Sequence, residues 1–352
     1  MQKNSSQRLT VKSFNPNNIG IANGNYFGFP FQPEESRILI LPVPWDVTTS
    51  YGAGTSKGPQ AILDASIQLD FFDSDVNKAW EIGHATLPVN LNTVNQNLKF
   101  RPEAESVIKH LENNLPLDEN IQHRINLINK ASEELNNYVY TLSRKWLAKG
   151  KLIALVGGDH STPFGLIKAL SEFHDNFAIL QIDAHADLRD AYEGFEYSHA
   201  SIMFNVFSKI ENIRKIIQVG IRDFCEEEYL LMKQNKKIVW FTDNDISGAR
   251  FEGKLWQKQC KEIIKELPDK IYLSFDIDGL SREFCPNTGT PVPGGLSFNE
   301  AIYLVKSIVE AGKKIIGFDL TEVTPGKNNE WDANVGARIL YKISNLMFKS
   351  QK

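Results

Sequence analysis

Seven short runs along the chain are apolar on nearly every successive residue: 38–41 (ILIL), 152–156 (LIALV), 177–182 (FAILQI), 216–219 (IIQV), 238–241 (IVWF), 271–275 (IYLSF) and 315–318 (IIGF). A strand that is apolar on both faces is buried on both, the mark of a parallel sheet covered by helices. Between the runs, apolar residues recur at helical spacing over 163–173, 200–210, 255–267 and 298–311. The alternation predicts an α/β fold: a single three-layer α/β/α domain built on a mostly parallel, doubly wound sheet.

Residues 92–150 break this rhythm. A polar, Asn-rich lead-in (LNTVNQNLKFRPE) precedes helical stretches at about 104–113 and 119–149, which read together as a helical insertion on the sheet. Residues 1–15 are read as a mobile N-terminal arm and 16–352 as the one domain, since no linker or shift in composition divides it. The segment GIANGNYFGFPF (20–31) is too aromatic for a tail and is expected to pack.

Composition narrows the function classes. At 352 residues and 42% hydrophobic content the chain can bury a large core. Its net charge of −4, from 39 Lys and Arg against 43 Asp and Glu, is spread without a basic run, so nucleic acid is not an expected partner. Cys225, Cys260 and Cys285 make an odd count with no CxxC spacing, which fits a reducing compartment. The polar start lacks a signal-peptide core, and no stretch approaches the ~20 apolar residues of a membrane span. A cytoplasmic protein with no membrane partner is expected.

The chemistry gathers at strand ends. The run 152–156 leads into Gly157-Gly158-Asp159-His160-Ser161, 177–182 into Asp183-Ala184-His185-Ala186-Asp187, and 271–275 into Asp276-Ile277-Asp278. In parallel α/β sheets ligands collect at these carboxyl ends. In extended chain, residues i, i+2 and i+4 share a face, so Asp183, His185 and Asp187 are expected to converge, as are Asp276 and Asp278. Such crowded carboxylates repel one another without cations. Two divalent ions sharing bridging carboxylates, ~3.5–4 Å apart as in two-metal hydrolases, would balance four negative charges with four positive ones. The oxygen-rich donor set favours Mn²⁺ over Zn²⁺.

GGDHS (157–161), DAHADLRD (183–190), SFDIDGL (274–280) with GTPVPGG (289–295), and FDLTEVTPG (318–326) together resemble the ureohydrolase family of arginases and agmatinases. The resemblance covers about 37–338, with four motifs in family order. It implies an arginase-like fold, a trimer or hexamer, and hydrolysis of a guanidino group by a metal-bridging hydroxide, releasing urea plus ammonia or an amine. It also implies two divalent metal ions per chain, Mn²⁺ or Ni²⁺. One would be held by His160, Asp183, Asp187 and Asp276, the other by Asp183, His185, Asp276 and Asp278, with Asp183 and Asp276 bridging. Glu322 matches the family's guanidinium-binding carboxylate, His199 its proton shuttle, and Thr290 a position on the pocket wall.

For the substrate, the loop YEGFEYSHAS (192–201) resembles agmatinases rather than arginases, with Tyr192, Glu193, Phe195 and Glu196 as candidates for reading an amine tail. Gly52-Ala53 stands where agmatinases usually carry Arg-Pro. That departure, PWDVTTS, the aromatic arm and the insertion resemble the agmatinase-like branch that hydrolyses free guanidine with nickel. A pocket narrowed by Trp45, Tyr51, Phe71 or Trp331 would suit so small a substrate. Free guanidine is therefore the expected substrate and agmatine the alternative. A non-catalytic metal-binding or assembly subunit is the reading from another class.

Overall fold

The structure is a computed structural model describing residues 14–327 and 329–352. The chain runs β1 (Ile38–Val43), α1 (Gly58–Ser66), β2 (His84–Thr86), α2 (Leu91–Glu112), α3 (Glu119–Leu147), β3 (Leu152–Gly157) and α4 (Phe164–Ser171). It continues with β4 (Phe177–Ile182), α5 (Ile202–Lys209), β5 (Ile213–Ile221), α6 (Glu226–Gln234), β6 (Ile238–Thr242) and α7 (Asp243–Phe251). The last elements are α8 (Trp256–Glu266), β7 (Lys270–Asp276), α9 (Phe298–Glu310), β8 (Lys314–Thr321) and α10 (Trp331–Lys349).

The strands form one sheet in the order β2-β1-β3-β8-β7-β4-β5-β6, and every strand pairing among the described residues is parallel. Helices pack on one another in two series, α8-α9-α10-α1 and α2-α3-α4-α5, the outer layers of an α/β/α sandwich. All seven predicted runs are strands. β1 and β4 are buried throughout, and β3, β7 and β8 beyond their first residue, as two-sided burial requires. β6 departs from that expectation. It is an edge strand and only half-buried after Ile238. The three residues of β2 are too few to leave a periodic signal.

The insertion is more helical than its sequence implies. α2 starts at Leu91, where the Asn90 side chain accepts the Asn92 N–H, and runs through Pro102. The Asn-rich lead-in is thus the first half of a helix. Asn content and an interior proline both argue against helix, so tertiary contacts must override them. α3 is capped by Asp118, which accepts the Ile121 N–H, and buries Ile121, Ile125, Ile128, Leu135 and Val139 at helical spacing.

The segment 20–31 packs as expected. Tyr26, Phe27 and Phe29 are fully buried, each side chain worth roughly 1.5–3 kcal/mol of burial. Phe27 and Phe29 lie at 5.7 Å from the ring of His84, and Phe29 lies 4.7 Å from Phe71. Phe29→Ala at this aromatic junction is worth about 3–5 kcal/mol of stability. Of the arm read at 1–15, residues 1–13 lie outside the described residues; Phe14 packs edge-on against Phe29. No described helix is long and apolar enough to cross a membrane.

Candidate metal centre

β3, β8, β7 and β4 are neighbours in the sheet, so the segments following them meet at one place. His160 follows β3, Glu322 follows β8, Asp276 ends β7, and Asp183 follows β4. His160 Nδ1 lies 2.8 Å from Asp187 Oδ2, 3.0 Å from Asp183 Oδ2 and 3.4 Å from Asp276 Oδ2. His185 Nδ1 lies 3.1 Å from Asp278 Oδ2 and 3.6 Å from Asp183 Oδ1. Two triads have donor atoms all within 4.8 Å of one another: His160, Asp183 and Asp276, and Asp183, His185 and Asp278. Asp183 belongs to both. All six side chains are buried except His185, which is partly exposed.

They converge by a route other than strand alternation. β4 ends at Ile182, and Asp187 has φ +54° in the left-handed region. Asp278 sits in a 3₁₀ turn at Ile277–Gly279 rather than on β7. Each turn is closed by an aspartate bonding the backbone two residues on: Asp183 Oδ1 accepts the His185 N–H (2.6 Å), and Asp276 Oδ1 accepts the Asp278 N–H (2.8 Å). In Asp276 one oxygen orders the loop and the other faces His160, whereas in Asp183 each oxygen also faces one of the two imidazoles.

A surrounding set of polar groups, not anticipated from the sequence, holds these candidate ligands in place. Ser274 Oγ pairs with His160 Nε2 (2.8 Å) and donates to Asp319 (2.9 Å). His160 therefore donates from Nε2 and leaves Nδ1 aimed at the carboxylates, buried and without a hydrogen bond among the described residues. Gln181 donates to Asp183 Oδ2 (2.8 Å), and Gln218 in turn donates to Gln181 (2.7 Å). On β4 and β5 these two glutamines were visible as polar interruptions of apolar runs, the one signal that could have singled them out.

Electrostatics match a site waiting for cations. Burial pushes the Asp187 carboxyl up to about 7, with Asp183 adding to the rise. Burial, then Asp278 and Asp183, holds Asp276 well above the usual range. Burial opposes the charge on Asp183, yet the close imidazoles of His160 and His185 hold its carboxyl far below. Both histidines are raised, against burial, by these aspartates. Divalent ions would replace those protons. An orphaned imidazole nitrogen facing three carboxylates, and a second imidazole sharing one of them, fit that role.

A cavity of about 160 Å³ opens beside the cluster, lined among others by Ser50, His185, Tyr192, His199, Asp223 and Thr290. Thr290 Oγ1 also stands 3.5 Å from Asp278 Oδ2. His199 Nδ1 donates to the Thr48 carbonyl (2.8 Å), which leaves Nε2, 3.4 Å from Ser50 Oγ, as the free acceptor. Burial pushes this imidazole down to about 4, so it rests neutral. Glu322 is 3% exposed, has φ +61°, and accepts the His160 N–H on Oε1 (2.8 Å). Burial, then Asp159, raises its carboxyl well above the ordinary range. It does not line the cavity itself.

The narrowing groups fall elsewhere. Trp45 and Phe71 are buried in the core, Tyr51 and Trp331 are exposed, and none of the four lines the cavity. Of the tail-reading candidates only Tyr192 lines it; Phe195 is core, and Glu196 pairs with Lys209 on the surface. Gly52 meets Gly289 backbone to backbone: a Cβ on Gly52 would stand 2.7 Å from the Gly289 carbonyl oxygen. An Arg-Pro pair does not fit this approach.

Fold and cluster define the class first: a parallel α/β enzyme with candidate ligands for two divalent ions at its strand ends. Residues 36–345 match the Arginase family, and the chain belongs to it, within the agmatinase-like ureohydrolases that act on C–N bonds of amidines. The N(1)-aminopropylagmatine ureohydrolase of Thermus thermophilus is 30% identical over 311 residues, 88% of this chain and 89% of that one. The agmatinase of Halalkalibacterium halodurans is 28% identical, over 83% and 85%. Proclavaminate amidino hydrolase from Streptomyces clavuligerus shares the fold, with a TM-score of 0.69 at 21% identity over 93% and 97% of the two chains.

Proposed function

We propose that the chain hydrolyses a small guanidino compound to urea and an amine or ammonia, with His160, Asp183, Asp187 and Asp276 holding one divalent ion and Asp183, His185, Asp276 and Asp278 the other. The observation that carries this reading is Asp183, shared between two triads beside a polar cavity walled by His199 and Thr290. Ions held there would supply Lewis acidity and would make a nucleophile available near neutral pH. Although it does not line the cavity itself, Glu322 would orient the planar cation through paired charge-assisted hydrogen bonds once cations in the site favour its ionised form, its Oε1 steadied by the His160 N–H. Neutral His199 accepts a proton on Nε2 and passes it to the departing nitrogen, since Nδ1 is committed to Thr48. Thr290 forms the wall beside Asp278.

A tailed cation of the agmatine type is the favoured substrate. Asp223 is an exposed carboxylate on the cavity wall, placed to meet an amine, and the relatives' names point to the same class. Free guanidine remains the second reading on one observation, the small cavity, set against the ~300–1,000 Å³ usual for larger ligands. The carboxylate-rich set supports Mn²⁺, with Ni²⁺ the alternative. Assembly as a homotrimer or homohexamer belongs to the same reading and is checked by light scattering. Urea release from agmatine, guanidine and arginine after loading with Mn²⁺ or Ni²⁺ tests the function. No release from any guanidino compound by protein holding both ions would leave the non-catalytic metal-binding subunit.

A further inference from the structure

α2 grips the loop between β1 and α1 with two side chains. Asn97, 7% exposed, forms a reciprocal pair with Asp46: its Nδ2 donates to Asp46 Oδ1 (2.9 Å), and its Oδ1 accepts the Asp46 N–H (2.7 Å). Asp46 Oδ2 then accepts the N–H groups of Gly54 and Ser56 (2.9 and 3.1 Å), tying the two ends of the loop together. One helical turn on, Arg101 directs Nη1 at the carbonyl oxygens of Asp46 (3.3 Å), Val47 (3.1 Å) and Thr49 (2.5 Å). Its Nε is held by Glu105 at 3.1 Å. Three carbonyl oxygens turned toward one point repel one another, and a guanidinium satisfies them with fixed, planar donors.

The far side of this loop is the cavity wall. The Thr48 carbonyl accepts from His199 Nδ1 (2.8 Å), Thr48 Oγ1 accepts the His199 N–H (3.2 Å) and donates to Asp159 (3.3 Å), and Ser50 Oγ lies 3.4 Å from His199 Nε2. Among the described residues, every contact of the His199 ring nitrogens beyond the adjacent Ser198 goes to this loop. From the helix to the imidazole there is one intervening layer of backbone.

We propose that Arg101 and Asn97 are positioning residues for the reaction: α2 sets the place of the 46–54 loop, and the loop sets the tautomer and direction of His199. This rests on the reading of His199 as the proton carrier. It gives the helical insertion a part in turnover, and it explains why an Asn-rich stretch with an interior proline is helical, since Asn97 and Arg101 reach the loop only from one helical face.

The test is a double-variant cycle on metal-loaded enzyme with Arg101→Met, His199→Asn and the two combined, and with Arg101→Lys as the conservative change. Arg101→Met is expected to lower kcat roughly 10–100-fold, the size of a displacement of about 1 Å, with a smaller change in KM and unchanged metal content. Arg101→Lys recovers part of the loss. The combined variant is expected to be no slower than His199→Asn, because the two changes disable one proton transfer. Losses that multiply, or an Arg101→Met enzyme with full kcat and only a lower unfolding temperature, would overturn the inference while leaving the His199 reading in place. Full turnover by His199→Asn would overturn both. If Arg101→Met does not fold, Asn97→Ala takes its place in the cycle with the same outcomes.

Discussion

Asp183 stands between the two imidazoles, its Oδ2 3.0 Å from Nδ1 of His160 and its Oδ1 3.6 Å from Nδ1 of His185. A carboxylate common to both candidate triads is a position whose loss is expected to open both halves of the site. Asp183→Ala is expected to take metal content from about two divalent ions per chain to below one and to abolish turnover, while the chain stays folded. Elemental analysis after gel filtration, with circular dichroism, checks it. A variant that keeps both ions would show that the shared position is not a bridge.

Ser274 is expected to act on metal affinity through His160 rather than as a ligand. It fixes the tautomer and direction of His160 through Nε2 and is itself held by Asp319. Ser274→Ala is expected to weaken metal binding about 10–100-fold, as such supporting groups usually do, measured by competition with a chromophoric chelator. Unchanged affinity would mean that packing alone orients the imidazole.

His199→Asn is expected to lower kcat about 10²–10⁴-fold, the usual worth of general acid–base catalysis, with metal content intact. Steady-state kinetics at saturating substrate reads this directly, and wild-type kcat would return His199 to a purely structural role.

Asp223 separates the two substrate readings. If it meets an amine tail, Asp223→Asn is expected to raise KM for agmatine about 2–5-fold, the worth of an exposed ion pair, and to leave guanidine kinetics unchanged. Should wild-type enzyme prefer guanidine over agmatine by tenfold or more in kcat/KM, the small-cavity reading wins.

His84 carries a pH signature in the fold rather than in the site. It is fully buried, its ring nitrogens have no hydrogen-bond partner among the described residues, and burial pushes it down to about 3 from an ordinary 6.5. The folded chain thus binds fewer protons here than the unfolded one. Its contribution to stability is whole above pH 6.5 and is lost as pH falls from there toward 3, by about 1.4 kcal/mol per unit. Denaturant titrations of His84→Phe between pH 7 and 4 are expected to show a shallower acid decline than wild type; equal slopes would count against an uncharged His84.

Much of this architecture was legible in the chain. Apolar residues on both faces of 152–156, 177–182 and 271–275 point to buried parallel strands, and the six candidate ligands follow these runs in sequence. What escaped reading depended on partners distant in sequence. Asn97 and Arg101 look like solvent-facing polar residues until Asp46 and the Val47 carbonyl are brought beside them. Ser274 opens the SFDIDGL stretch, yet its role could not be read there, because it needs Asp319 of the neighbouring strand. The turns at Asp183 and Asp276 hid inside what read as strand continuations, since a left-handed residue such as Asp187 leaves no mark in a pattern of apolar and polar letters.

The contact between Gly52 and Gly289 bears on how this enzyme can be re-engineered. With the two backbones touching, no larger side chain can be written into one segment without displacing the other. Transplanting the Arg-Pro sequence of agmatinases into 52–53 alone would therefore disrupt the site, and a change of specificity along that route has to exchange both loops in a single step.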